Sequence, residues 1–499
     1  MDINTMIGIL DEEVSFYTDV MNDTDVYVEY CCANGAICFE PIKSKKFNAF
    51  LGVRYRELTQ VLERPNYKEL LAIKEEEAIY SQNNQVHIYR RVAGNMNRKI
   101  VYFLSDPTWK SVIVTADGWR VCQMKKVKFL RYATDKSQVL PVKGGNYLDL
   151  ILPKLNMDPD DALLYAIFLI QALSRSSSHF LGIISSKAGS GKTTLTKQTM
   201  ELIDPKKSSV TVTPTNEEGL KTMLSNTYLA TLDNTEPLST AFSNILCAAI
   251  TGATDTRRTL YTTNDLTLLN LHNLILINGV DAIPRKSDLI DRALCFELKS
   301  ISKKDRKTDA EIWGTFNRDK PRILGAMFDV LSKAMKILPT MQVAETYRMS
   351  DAHREMTAIA IALGIQQEDF QRILDNNRKK LLDAYADHND FVDFVVTYMR
   401  KHLNVDVSVA TLYKNMYENI VGSDKFFPKS PSALSRKLNE EREAILLAGY
   451  KFECRKEKDA NYVKIWKVPK NQQTKEQERV EHTLADRYLQ IMDQDDQEY

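Results

Sequence analysis

The stretch "FLGIISSKAGSGKTTLTKQTMELID", residues 180–204, constrains this chain more than any other. An apolar run leads into "SKAGSGKTT", and an amphipathic helical pattern follows. Gly189 and Gly191 let backbone N–H groups close around phosphate oxygens, and the helix beyond them points its positive end at the same place. Lys192 is positioned to reach β and γ phosphates, and the Thr193 hydroxyl to ligate Mg²⁺. Ser186, Ser190 and Thr194 complete the loop. Ser186 stands where the usual pattern has its first glycine, yet strand, loop and helix follow in the required order. The expected ligands are ATP and Mg²⁺.

From residue 178 to about 300 the chain alternates strand and helix. "HFLGIIS", "SSVTVTP", "TYLATLDN", "HNLILING" and "ALCFELKS" read as strands with helical runs between most of them. That pattern predicts an α/β core with a parallel sheet and crossover helices. Ligands of such sheets bind beyond the carboxyl ends of the strands, so strand-end polar residues become candidates. Asp233 ends one strand and is expected behind the Mg²⁺. A motor usually carries a glutamate next; here Asn234 follows, with Glu236 two further on, and either one would orient the lytic water. Asn278 ends another strand and is expected beside the γ-phosphate. Arg292, in "SDLIDRALCF", precedes the last strand and would reach a neighbouring subunit's nucleotide as an arginine finger. A salt bridge to Asp291 is the alternative, and Arg285 the next candidate.

The flanks have different patterns. Residues 1–145 combine helical stretches near 45–62 and 67–79 with four β-rich runs, and "LPVKGGN" marks a boundary. Residues 146–305 form the nucleotide-binding core and 306–387 a helical region. In 388–468, three helical runs and two strands around a charged turn read as a winged helix. It would present Arg436 and Lys437, with Ser432 and Ser435, to duplex DNA, and Arg455, Lys456 and Lys458 as the wing. A winged helix also serves as a protein-binding module. Residues 469–499 form an acidic, Gln-rich tail. Arg120, Lys125, Lys126, Lys128 and Arg131 make a second basic cluster beside Trp119 and Tyr132, suited to nucleic acid or to a solvated sheet face.

Net charge is only +1, so any nucleic-acid surface must be a local patch. The seven cysteines are odd in number and scattered, which predicts reduced thiols. Cys31, Cys32 and Cys38 cluster without a fourth zinc-spaced ligand. The N-terminus has acidic residues where a signal peptide needs a basic start. The longest apolar run, "ALLYAIFLIQAL", falls short of the roughly 20 residues a bilayer takes and reads as a buried helix. The expectation is a cytoplasmic protein with no membrane partner.

The order of phosphate loop, Asp233 strand, Asn278 strand and Arg292 resembles the AAA+ ATPases, in the branch of superfamily 3 and mini-chromosome-maintenance helicases. "CAAITGATDTRRTLYTTND" and "LILINGVDAIPRKSDLIDRAL" resemble the replicative helicase–initiators of phages and mobile genetic elements, and the likeness extends over roughly residues 85–365. The resemblance implies a β-hairpin at 256–270, before the Asn278 strand, that points into a ring's channel. Arg257, Arg258 and Tyr261 would meet single-stranded DNA there. It implies a homo-hexamer with ATP between subunits. Catalytic primase is not supported, since residues 1–150 hold no convincing paired-carboxylate metal motif. A DNA-binding initiator that uses ATP only for assembly is the alternative. A small-molecule kinase would instead need a substrate lid.

Overall fold

The computed structural model describes residues 3–468 except 33–34, 63–65, 82, 125, 176–177, 187–188, 209–212, 236–237, 253, 259–265, 280–283, 285, 303, 344–346, 388, 403, 421–423, 425 and 458–459. Elements α1 (Ile3–Glu12), β1 (Val14–Asp19), β2 (Asn22–Cys31), β3 (Ile37–Pro41), α2 (Lys45–Thr59), α3 (Lys68–Ser81) and β4 (Gln85–Val86) come first. Their sheet has the order β3-β2-β1-β4. Val26, Val28 and Tyr30 alternate inward from β2 and meet Phe47, Leu51 and Tyr55 of α2, one helical face at i, i+4, i+8. These residues form a core of their own. Cys32 and Cys38 face each other across the ends of β2 and β3, their Cα atoms 5.8 Å apart.

Next come β5 (Ile88–Tyr89), β6 (Val92–Asn95), β7 (Lys99–Phe103), β8 (Lys110–Thr115), β9 (Gly118–Gln123) and β10 (Lys128–Phe129). Strands β6 to β9 form an antiparallel meander, with Ala116–Asp117 as the two-residue β8–β9 turn and Gly118 opening β9. The basic cluster read on this region does not share one face. Lys128 is buried, donates to Glu29 and lies over the Tyr17 ring, whereas Arg120 and Lys126 are exposed and Lys125 lies outside the described residues.

The central region runs α4 (Tyr147–Ile151), α5 (Pro159–Gln171), β11 (Leu181–Ser185), α6 (Lys192–Ile203), α7 (Glu217–Asn226), β12 (Leu229–Leu232), α8 (Thr240–Thr251), β13 (Thr254–Arg258), β14 (Leu266–Asn270), β15 (Leu274–Gly279), α9 (Ser287–Ile290) and β16 (Ala293–Glu297). Its sheet is parallel, in the order β12-β15-β11-β16. The strand read at "SSVTVTP" falls mostly on residues outside those described. The apolar run at 162–173 is the buried helix α5. Side chains of β15 and α5 crowd β11 so closely that a Cβ at Gly182 would stand 2.7 Å from Leu276 Cδ1 and 3.0 Å from Phe168 Cζ, which explains a glycine inside a strand.

Helices α10 (Asp309–Ile337), α11 (Ser350–Ala362) and α12 (Gln367–Asp387) follow. A Thr308/Glu311 capping box starts α10. The meander rests on α10: the Trp119 indole donates to Asp329 at 2.8 Å and the Ser332 hydroxyl to the Thr115 carbonyl at 2.7 Å. One apolar core runs unbroken from Val92 in the meander to Ile465. A buried ion pair, Arg91 to Asp204 at 2.8 Å, ties the meander to the end of α6. Burial alone would raise the Asp204 carboxyl, but Arg91 and Lys206 hold it below the usual carboxylate range.

The last unit is α13 (Asp390–Lys401), β17 (Asn404–Ser408), α14 (Val409–Tyr417), α15 (Pro431–Glu440), α16 (Arg442–Leu447), β18 (Tyr450–Lys456) and β19 (Asn461–Lys467). Its antiparallel sheet has the order β17-β19-β18. The third helical run breaks into α15 and α16, and β17 adds a strand beyond the hairpin read from sequence. Among the described residues, no helix is long and apolar enough to cross a membrane.

Candidate nucleotide and nucleic-acid sites

Because β11, β12 and β15 are parallel, Ser185, Asp233 and Gly279 reach the same edge of the sheet. The loop from β11 to α6 closes over that edge. Gly189 has φ 80° and Gly191 φ 92°, left-handed values that favour glycine. Ser186 is not among the residues with positive φ. Its position therefore needs no glycine, which accounts for the departure from the usual pattern. Its side chain also takes part in the loop: the Lys192 ammonium donates to the Ser186 carbonyl at 2.9 Å and to its hydroxyl at 3.0 Å. The Ser186 and Ser190 hydroxyls are hydrogen-bonded to each other. Lys187 and Ala188 lie outside the described residues.

Thr193, in the first turn of α6, donates its hydroxyl to Asp233 Oδ1 at 3.2 Å. The tertiary fold thus brings together two residues 40 apart in sequence. Asn234 follows with φ 53°, an uncommon backbone for a residue other than glycine. Its N–H donates to Asn278 Oδ1 at 2.9 Å. Asn278 Nδ2 donates to Thr196 Oγ1 at 2.7 Å, and that hydroxyl donates to the Lys192 carbonyl at 3.0 Å. A relay therefore runs from the start of α6 through Thr196 and Asn278 to the turn after β12. Asn278 is 1% exposed and both ends of its amide are engaged. It braces the Asn234 turn. Glu236 lies outside the described residues.

Arg292 sits at the other edge of the sheet. Its carbonyl accepts from Leu181 N–H at 2.8 Å, at the start of the five-residue strand whose far end carries the phosphate loop. At about 3.3 Å per residue, the two are separated by about 15 Å. The Arg292 guanidinium donates to Asp288 at 3.2 Å, not to Asp291. Arg348 meets the same Asp288 oxygen at 2.5 Å, and Arg378 lies 3.7 Å from Asp291. Burial favours a raised Asp288 carboxyl, yet Arg292 and Arg348 hold it below its ordinary value. Arg348 and Arg378 were missed in the sequence because they lie on or before distant helices. Arg285 lies outside the described residues.

Before β15, β13 and β14 pair as an antiparallel hairpin, with Arg257 opposite Thr267 and Arg258 opposite Leu266. Tyr261 and the Asn264–Asp265 turn fall outside the described residues. In the last unit, Ser432 and Arg436 are exposed on α15. Lys437 is committed to Glu441 at 2.6 Å, and Glu441 also accepts the Tyr385 hydroxyl. Arg455 pairs with Asp406 and Glu457, both at 2.8 Å, and lies over the Tyr462 ring. Lys456 is exposed; Lys458 is outside the described residues. Among the described residues read as duplex contacts, Ser432, Arg436 and Lys456 are exposed outside any ion pair, whereas Lys437 and Arg455 are ion-paired.

Among the described residues, no group of three or more His, Cys, Asp or Glu side chains gathers to hold a metal ion. Thr193 and Asp233 offer a pair of hard oxygens instead. That suits Mg²⁺, which keeps several waters and takes its remaining ligands from one or two carboxylates and substrate phosphates.

Residues 148–379 match the family described as "Actinomycete integrative conjugative element replication protein". Two apo structures of the NrS-1 C-terminal region are each 12% identical and cover 93% of this chain and 98% of theirs, with TM-scores of 0.40 and 0.38. A third covers 89% of this chain and 88% of its own at a TM-score of 0.37. No curated protein matches the chain. The central part of the chain is thus similar to replication proteins of mobile genetic elements.

Proposed function

We propose that this chain is an ATP-driven DNA motor, a replicative helicase–initiator of a mobile genetic element with an AAA+ core, working as a ring of six copies. The observation that carries the reading is the convergence of Lys192, Thr193 and Asp233 at the carboxyl edge of the parallel sheet. Gly189, Ser190, Gly191 and Thr194 would cradle the phosphates of ATP, and Lys192 would leave Ser186 for them. Bound Mg²⁺ supplies charge neutralisation on the phosphate oxygens. Asn278 holds the Asn234 turn, and either Asn234 or Glu236 orients the water.

Arg292, about 15 Å from its own phosphate loop, acts in this reading on a neighbouring subunit's nucleotide after leaving Asp288. The β13–β14 hairpin moves single-stranded DNA through the ring, and α15 with the wing holds duplex DNA by Arg436 and Lys456. Residues 1–145 serve as an adaptor and 306–387 as a lid or linker. The match over residues 148–379 supports a role in replication.

ATP turnover measured with and without single-stranded DNA, beside displacement of a labelled strand, tests this. DNA-stimulated turnover and unwinding are expected. ATP-dependent assembly without unwinding would favour the second reading, an ATP-switched initiator. Asn234 favours that reading, because no carboxylate stands next to Asp233.

A further inference from the structure

The segment between β16 and α10 crosses the rim of the phosphate loop. Leu298 N–H donates to the Ser185 carbonyl at 3.0 Å, so the chain leaves β16 beside the end of β11. Lys299 is then held on both sides: its N–H donates to the Asn156 carbonyl at 2.9 Å and its carbonyl accepts from Asn156 Nδ2 at 2.6 Å. Ile301 comes next to the loop, where a Cβ built on Gly191 would lie 3.8 Å from Ile301 Cδ1. A Cβ built on Gly189 would stand 3.3 Å from Arg306 Nη2. The guanidinium is therefore against the backbone that closes around phosphate.

The nearby acids are engaged elsewhere. Asp305 accepts the Ser302 hydroxyl at 2.6 Å, and Glu311 accepts the Thr308 hydroxyl and N–H, both at 2.8 Å. These bonds also fix the backbone on either side of Arg306. Arg306 is exposed and makes no ion pair among the described residues. A planar guanidinium and the Lys192 ammonium thus border one loop with no carboxylate from this segment between them. Two like charges so arranged attract a polyanion, and a guanidinium suits phosphate oxygens in particular.

We propose that Arg306 is a second same-chain cation of the nucleotide site, donating to phosphate oxygens of a bound nucleoside triphosphate. The proposal rests on the phosphate-loop reading above and differs from the arginine finger in acting within its own chain. Equilibrium binding of a fluorescent ATP analogue and of its ADP counterpart, with Mg²⁺, tests it in the full chain. Arg306→Ala should weaken triphosphate binding about ten- to a hundred-fold, the range of a lost charge-assisted hydrogen bond. Arg306→Lys should recover part of it. The thermal unfolding curve of Arg306→Ala should match that of the parent, because the side chain is exposed. Unchanged triphosphate affinity in Arg306→Ala, with binding lost in Lys192→Ala, would overturn the role of Arg306 and leave the site standing. Unchanged binding in Lys192→Ala would overturn the phosphate-loop reading and this proposal with it.

Discussion

Asn278→Asp exchanges one –NH₂ for an oxygen and tests the relay behind the proposed nucleotide site. Thr196 has a single hydroxyl hydrogen, and it is donated to the Lys192 carbonyl. Toward Asn278, 2.7 Å away, the hydroxyl can only accept. The other amide end must be the oxygen, because it receives Asn234 N–H. An ionised aspartate therefore sets oxygen against oxygen at a site 1% exposed. The lost bond and the buried unsatisfied group cost about 1–3 kcal/mol, and burying the new charge adds to that.

The Asn234 turn would lose its brace, while the phosphate loop keeps its own contacts. Asn278 is a positioning residue in this account. ATP affinity should stay near that of the parent, and turnover at saturating ATP should fall about 10²-fold, as a misplacement of roughly 1 Å brings. Both defects should shrink toward pH 5, where a protonated aspartate again supplies a hydrogen. Denaturant unfolding, nucleotide binding and turnover at pH 8 and at pH 5.5 check this. Unchanged stability and turnover at pH 8 would refute the reasoning. A collapse of ATP affinity alone would mean that Asn278 touches the nucleotide directly.

Burial pushes the Glu355 carboxyl up to about 7, against the Gln171 and Ser174 donors that lower it. A folded value above the unfolded one makes stability fall as pH rises from about 4.5 through 7, so Glu355→Gln should flatten that slope by about 3 kcal/mol in unfolding titrations. Arg91→Ala leaves Asp204 buried beside Lys206 and should cost about 3–5 kcal/mol of unfolding free energy. Arg292→Ala should bind ATP but not turn it over, and mixing it with Lys192→Ala should restore part of the activity; absence of recovery in well-mixed rings would leave Arg292 a partner of Asp288 only. Arg436→Ala should weaken duplex binding and reduce its salt slope by about 1, whereas Lys437→Ala should instead lower stability, because its ammonium serves Glu441.

The loop between β11 and α6 was legible because its residues are adjacent in sequence: two glycines, a lysine and a hydroxyl between a strand and a helix, the pattern on which the nucleotide-site proposal rests. Asp233 and Asn278 were legible as strand ends, since a parallel sheet brings all its carboxyl ends to one edge. The first sheet was not. β2 opens on "NDTD", residues with little β preference, and its apolar alternation begins only at Val26. Strand β17 of the last unit hid for a similar reason: five residues, "NVDVS", carry little periodic signal.

Which polar groups meet was decided only by the tertiary structure. Sequence suggested Asp291 for Arg292, but the α9 turn aims the guanidinium back one helical turn at Asp288. It suggested a free Lys437, yet Glu441 one helical turn on claims that ammonium, and a basic stripe that included Lys128, whose ammonium meets Glu29 on β2. It gave no sign that Arg306 lies over Gly189, because that contact depends on how β16 pairs beside β11. Local patterns determine backbone conformation and which residues face inward, since those depend on neighbours a few positions away. The partner of a long charged side chain depends on how elements cross, and that is settled when the cores close.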